Sequence, residues 1–107
     1  MITLQHWLIL SGMAFTLGLC GVMMRRNVIL VMMAIEIMLN AANLALVAFN
    51  KHMVPGPDGL VRPDGQVLVF FTIAVAAAEV AVALVIAMLL FRRLDTVNVD
   101  DVANLRW

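Results

Sequence analysis

Two glutamates, Glu36 and Glu79, are the residues of this chain best suited to do chemistry. Each lies near the middle of a long apolar segment that carries no other charge, Glu36 in residues 28–49 and Glu79 in residues 67–91. A carboxylate at the depth of a bilayer costs on the order of a few kcal/mol, and the Glu side chain is too short to reach the surface from there. Ionisable groups in such positions usually face the interior of a helix bundle and mark ion or proton paths. We therefore interpret both glutamates as proton-handling groups.

A structural role is the alternative for these two glutamates. A permanently protonated Glu could donate a hydrogen bond between helices, but Gln would make the same bond without the cost of desolvating a carboxylate. A carboxyl group, unlike an amide, exists in both protonated and ionised forms and can therefore pass a proton on. The choice of Glu therefore favours proton transfer over a purely structural contact.

The composition is that of an integral membrane protein. Of 107 residues, 64% are hydrophobic and 13% are charged, and the mean hydropathy is +1.04. A soluble domain of this size could not bury so much apolar surface. The formal net charge is zero, which argues against nucleic acid as a partner and against a polybasic membrane-surface role. The lipid bilayer is the expected environment.

The apolar residues fall into three blocks, which predict an all-α protein with three transmembrane helices in a single membrane domain, residues 1–107. The approximate spans are 4–24, 28–49 and 67–91, each long enough to cross a hydrocarbon core of about 30 Å. No Lys or Arg precedes the first block, which favours a retained span over a secretory signal. The connection at 25–27 is short, so the first two helices are expected to be antiparallel neighbours. The second loop, 51–66, is longer and holds all three prolines, and the tail 94–107 is too short and polar to be a domain.

Polar residues extend along the same helical faces as the two glutamates. Glu36, Asn40 and Asn43 are spaced i, i+4, i+7, and Thr72 lies seven residues before Glu79, so each set is expected to share one face. We interpret Asn40, Asn43 and Thr72 as supporting groups that bond between helices or hold water. At 1.5 Å per residue, the depths of the two glutamates differ by only about 5 Å, so a few water molecules could connect them.

The remaining reactive residue types give no further site. His6 and His52 have no second ligand at metal-binding spacing, so surface positions are favoured over a metal site. The single cysteine, Cys20, lies in an apolar run and is interpreted as a packing residue. No nucleotide-binding, haem or iron–sulfur motif is present in the sequence. No catalytic, cofactor or metal site is therefore expected in this chain, and the energy for transport must come from partners in a larger membrane complex.

Basic residues beside the spans predict the orientation. Arg25, Arg26, Arg92 and Arg93 share one side of the membrane with Arg106 in the tail, whereas Lys51 and Arg62 lie on the other. Positive residues favour the cytoplasmic side. We therefore expect the N-terminus outside and the C-terminus in the cytoplasm, with the four paired arginines as anchors at the cytoplasmic interface.

Three segments of the chain are distinctive: residues 21–27 continuing to 35–44, residues 64–67 leading into 76–81, and residues 92–93 through 98–101. They resemble the K subunit of bacterial NADH:quinone oxidoreductase (complex I), whose mitochondrial relative is the small 4L subunit. The resemblance covers nearly the whole chain. It implies a respiratory membrane-arm subunit wedged between the J and N subunits in the bacterial inner (plasma) membrane. It also implies that Glu36 and Glu79 belong to an axis that relays protons and conformational change. NADH, FMN, iron–sulfur clusters and quinone are then expected in partner subunits.

Two features depart from this family, and two other functions stay open. The loop around Val54–Pro63 is several residues longer than the family pattern, and Ala83 stands where the family commonly has Gly. The alternative transport function is the C-type subunit of an Mrp-type sodium/proton antiporter, which has the same three-helix plan. A third possibility is a structural spacer, in which the two glutamates would be dispensable for coupled activity.

Overall fold

Three long helices make up most of the chain. The computed structural model describes residues 1–104, with α1 at Leu4–Met24, α2 at Val28–Lys51, α3 at Asp64–Leu94 and a short α4 at Val99–Ala103. Helices α1, α2 and α3 are each long and apolar enough to cross a membrane, which confirms the predicted all-α fold. The predicted spans lie within these helices, and α3 continues three residues beyond its span at each end. Arg106, counted above for orientation, lies outside the described residues.

Helix α2 lies between α1 and α3, because its sequence supplies two opposite packing faces. Ala34, Ala41 and Ala48 are buried and spaced by seven residues, so they line one face. The polar residues Glu36, Asn43 and Asn50 form a second set with the same spacing, and each lies two residues after one of these alanines. Two residues correspond to about 200° of helical rotation. The alanine face meets α1 and the polar face meets α3, while α1 and α3 make little contact with each other.

Small residues allow α1 to approach α2 closely. Ser11 is buried, and its hydroxyl donates a hydrogen bond to the Ala41 carbonyl oxygen at 2.6 Å. Gly18 is also buried, directly against Met38 and the backbone of Ala34. Lipid tails are as apolar as the helix surfaces, so association in a membrane depends on this close packing and on bonds between helices. The α1–α2 pair is therefore the tightly packed half of the molecule.

The tail returns to the connection between α1 and α2. Asn27 and Asn98 form an isolated antiparallel bridge. The Val28 amide donates to the Val97 carbonyl at 3.0 Å, and the Val99 amide donates to the Arg26 carbonyl at 2.8 Å. Arg26 also forms an ion pair with Asp100 at 2.9 Å, but both side chains are exposed, so this pair contributes little. These backbone bonds connect the start of α2 to the segment that follows α3, on the side of the bundle that carries the paired arginines.

Candidate functional site

Glu36 lies half-buried where α2 faces α3. Its Oε1 atom is buried and has no hydrogen-bond partner among residues 1–104. The side chain lines a cavity of about 60 Å³ that is otherwise formed by apolar side chains of both helices, among them Met32, Val80 and Ala83. Since about 10–15 Å³ of such accessible space is enough to hold one water molecule, the cavity is large enough for water. An unpartnered buried carboxyl oxygen is costly, so water or a bound proton would relieve a real energetic demand at this atom.

A hydrogen bond between Thr72 and Asn43 sets the register of α2 against α3. The Thr72 hydroxyl lies 2.6 Å from Asn43 Oδ1, to which it donates. The two helices are antiparallel, and Glu36 and Glu79 each lie seven residues from this pair toward the arginine-bearing side. The two glutamates therefore lie at the same level along the helix axes. Val80, next to Glu79 in sequence, lines the Glu36 cavity, which agrees with that register.

Glu79 lies at the edge of the α2–α3 contact and not within it. The residue is exposed, whereas Thr72 is half-buried against α2. This differs from the expectation that both share one inward face. A seven-residue step on an α-helix drifts by about 20°, and that drift carries the Glu79 side chain past the edge that Thr72 still occupies. Glu79 instead lines a shallow groove with Met32, Ala83 and Ile86 on the open surface of the α2–α3 pair.

The remaining predicted polar residues divide between structural bonds and open surface. Asn43 is buried and held by Thr72, whose hydroxyl also lies 2.8 Å from the Val69 carbonyl. Asn40 is exposed and lines a surface groove with Glu36. Asn50, further along the same face, is buried, and its amide donates to the Arg62 carbonyl oxygen at 2.8 Å. The polar face of α2 thus anchors the loop between α2 and α3 at one end and carries Glu36 near the middle of the helix.

The basic and potential ligand residues lie at helix ends. Arg25, Arg26, Arg92 and Arg93 are all exposed, and the last two belong to the final turn of α3. His6 bonds to the Thr3 backbone amide, and His52 lies 2.9 Å from the Ala48 carbonyl. Across residues 1–104, no group of three or more His, Cys, Asp or Glu side chains is placed to hold a metal ion. The glutamate level is the one position where the described chain brings ionisable groups to mid-depth.

Sequence reasoning identified the glutamates, and helical spacing places Ala83 on the face of Glu79, but it did not predict that Met32 and Ala83 line a common wall. Met32 and Ala83 line both the Glu36 cavity and the Glu79 groove. Apolar residues in an apolar helix carry no sequence signal of such a position. Asp100 was also missed as the partner of Arg26, because that pair depends on the tail folding back. Only the three-dimensional arrangement identifies these residues.

Loss of the Thr72 hydroxyl is expected to weaken the α2–α3 register. Thr72→Val keeps the side-chain shape but leaves Asn43 Oδ1 without its donor, at a cost of about 1 kcal/mol. The measurement is the thermal inactivation of the protein in its native membranes, with a lower midpoint expected. Thr16→Val is the matched control, because the Thr16 hydroxyl is exposed and bonds only to the Gly12 carbonyl of its own helix. Equal midpoints for the two variants would contradict the role of the Thr72 bond.

The chain is similar to known proteins along almost its entire length. Residues 6–107 match the family model described as NADH-ubiquinone/plastoquinone oxidoreductase chain 4L. A protein of Akkermansia muciniphila named NADH-quinone oxidoreductase subunit K is 46% identical over 106 residues, which cover 99% of each chain. The protein of that name from Methylacidiphilum infernorum is 47% identical over 106 residues, covering 99% of this chain and 98% of the relative. In the Bdellovibrio bacteriovorus protein the identity is 46% over 105 residues, 98% of this chain and 92% of the relative.

Proposed function

The chain belongs to the NADH-ubiquinone/plastoquinone oxidoreductase chain 4L family, the subunit K family of complex I, and from that premise we propose that Glu36 and Glu79 relay protons within the membrane arm. Membership makes the chain a membrane-arm subunit of NADH-quinone oxidoreductase and a multi-pass protein of the bacterial inner membrane. Its partners are other subunits of that complex. The comparisons give no support to the Mrp-type antiporter alternative.

The observation that supports the relay is the placement of two carboxyl groups at one level of the bundle. One is partly buried between α2 and α3, and the other is exposed on the surface of α3. Glu36 has a buried oxygen without a partner among residues 1–104, beside a cavity large enough for water. Glu79 is exposed on α3, where an adjoining subunit can reach it. A proton held at Glu36 can pass through water to Glu79 and from there to a neighbouring chain, since both groups can exist in protonated and ionised forms.

The chain contributes no redox chemistry under this proposal. NADH, FMN, the iron–sulfur clusters and quinone are assigned to partner subunits, and this chain couples their reaction to proton movement. The J and N subunits are proposed as its direct neighbours, on the open face of α3 and on the outer face of α1. Asn40, Asn43 and Thr72 support the relay, the first as a polar group beside Glu36 and the other two through the bond that sets the register.

Proton pumping by the complex with Glu36→Gln and Glu79→Gln tests the proposed function. Gln keeps the shape and polarity of Glu but cannot ionise. In sealed vesicles containing the complete complex, the double variant is expected to assemble and to lose pumping. Normal pumping by that variant would remove both glutamates from the relay and leave the structural-spacer function in its place.

The proposed orientation places Arg26 on the cytoplasmic side. The test uses Arg26→Cys and a maleimide that cannot cross membranes. Cys20→Ser is included so that the chain's own exposed cysteine does not react. Labelling is expected in inverted vesicles and not in sealed, right-side-out vesicles. Asp58→Cys in the long loop is the control and is expected to label with the opposite pattern. External labelling at position 26 would reverse the proposed topology.

A further inference from the structure

Met32 and Ala83 lie between the spaces that Glu36 and Glu79 occupy. Two residues line both the partly open cavity at Glu36 and the groove at Glu79, and they belong to different helices. Met32 is one turn from Glu36 on α2, and Ala83 is one turn from Glu79 on α3. The pair therefore forms a wall that the two spaces share.

The two sides of this wall differ in water access. The cavity at Glu36 exposes no polar lining surface besides the buried carboxyl group itself, so water within it has few partners and is held weakly. The groove at Glu79 is open along the surface of α3. A wall of apolar atoms between two such spaces interrupts hydrogen-bonded water, and proton transfer then stops at the wall.

The residue types suit a wall that can open. Met is unbranched, has three rotatable bonds and adapts its shape to irregular gaps. Ala83 is small and half-buried, so it leaves space into which the Met32 side chain can move. We propose that Met32 and Ala83 form a gate between Glu36 and Glu79, in which displacement of the Met32 side chain lets water connect the two carboxyl groups. The gate rests on the proposed relay, because it regulates transfer between the same two groups.

Filling the gap is the first test. Ala83→Leu is expected to lower the protons pumped per NADH oxidised by roughly tenfold in vesicles that contain the complete complex, since transfer between positioned groups is steeply sensitive to their connection. Ala81→Leu is the matched control, because Ala81 is exposed on the same helix and lines neither space; its pumping is expected to be unchanged.

Second-site rescue separates a gate from general disturbance of packing. Met32→Ala in the Ala83→Leu background returns the lost space and is expected to restore at least about half of the pumping. Met33→Ala is the comparison, because Met33 lines the Glu36 cavity but not the Glu79 groove; it is expected to give no rescue. Equal rescue by both methionine variants, or normal pumping by Ala83→Leu, would overturn the gate.

Met32→Ala alone provides a test that only removes atoms, for use if Ala83→Leu does not assemble. A permanently open wall is expected to keep NADH oxidation and to lower the protons pumped per NADH, whereas a normal ratio would overturn the gate. Glu36→Gln measured in parallel distinguishes the two proposals. Loss of pumping in that variant with normal pumping in the gate variants would remove the gate and keep the relay, whereas normal pumping in all of them would remove both.

Discussion

Replacing Glu36 by Gln is expected to reduce proton pumping roughly a hundredfold while the complex stays assembled and its other subunits keep their redox centres. The physical reason lies in the surroundings of the carboxyl group. Oε1 makes no hydrogen bond within residues 1–104, so the substitution removes no bond of the described chain. What it removes is the ability of the group to bind and release a proton, which is the property that the relay requires.

The effect at Glu79 is expected to be similar, and the double variant is expected to show the greatest loss. Two groups that act in series lose function together, so the effect of the double variant should be much less than the product of the single effects. Pumping is measured as acidification of sealed vesicles at a matched rate of NADH oxidation. Asp64→Asn is the control, because it makes the same change from acid to amide on α3, outside the predicted span, and it is expected to pump normally.

An unchanged pumping rate in Glu36→Gln would contradict the relay directly. A loss of pumping together with loss of the assembled complex would point to structure instead, and quantifying the complex in the same membranes distinguishes these outcomes. Under the structural-spacer alternative both single variants and the double variant pump normally. Loss of pumping with the complex still assembled therefore supports the relay, and normal pumping supports the structural spacer.

The fold was largely predictable because hydrophobic length sets the number of membrane-spanning helices. Block lengths gave three helices, and the three-residue connection at 25–27 required α1 and α2 to be neighbours. The seven-residue spacings on α2 indicated that Asn43 would bond between helices or hold water, and in the structure its Oδ1 atom lies 2.6 Å from the Thr72 hydroxyl. The pairing of the tail with residues 26–28 was not predicted, since backbone bonds between distant segments leave no mark in side-chain periodicity.

The site was only half predictable, and the reason is the small angular difference between neighbouring helical positions. The sequence identified Glu36 and Glu79 from their cost in hydrocarbon, but spacing alone could not place Glu79 outside the α2–α3 contact. A drift of about 20° over seven residues decides whether a side chain is enclosed or exposed, and that depends on where α3 meets α2. The wall at Met32 and Ala83 escaped prediction for a related reason, because its residues are chemically ordinary and only their shared position is distinctive.

Gly18→Leu is expected to lower the amount of assembled complex about tenfold or more, a larger effect than any other substitution on α1. A Cβ atom at position 18 would lie 2.7 Å from the Ala34 carbonyl oxygen and 2.5 Å from Met38 Cγ. The first of these is backbone, which cannot move aside without displacing α2. Overpacking costs about 1–3 kcal/mol even where neighbours can adjust, and about 1.4 kcal/mol changes an equilibrium tenfold.

Assembly is measured by native gel electrophoresis of solubilised membranes, with NADH oxidation as a second measure. Gly12→Leu is the matched control, because a Cβ atom at Gly12 meets no atom within 4 Å, and near-normal assembly is expected. Met38→Ala added to Gly18→Leu gives the sharper distinction. It removes the flexible obstacle but leaves the Ala34 carbonyl in place, so little rescue is expected. Full rescue would instead mean that a side-chain contact, and not the approach of the two backbones, sets how closely α1 packs against α2.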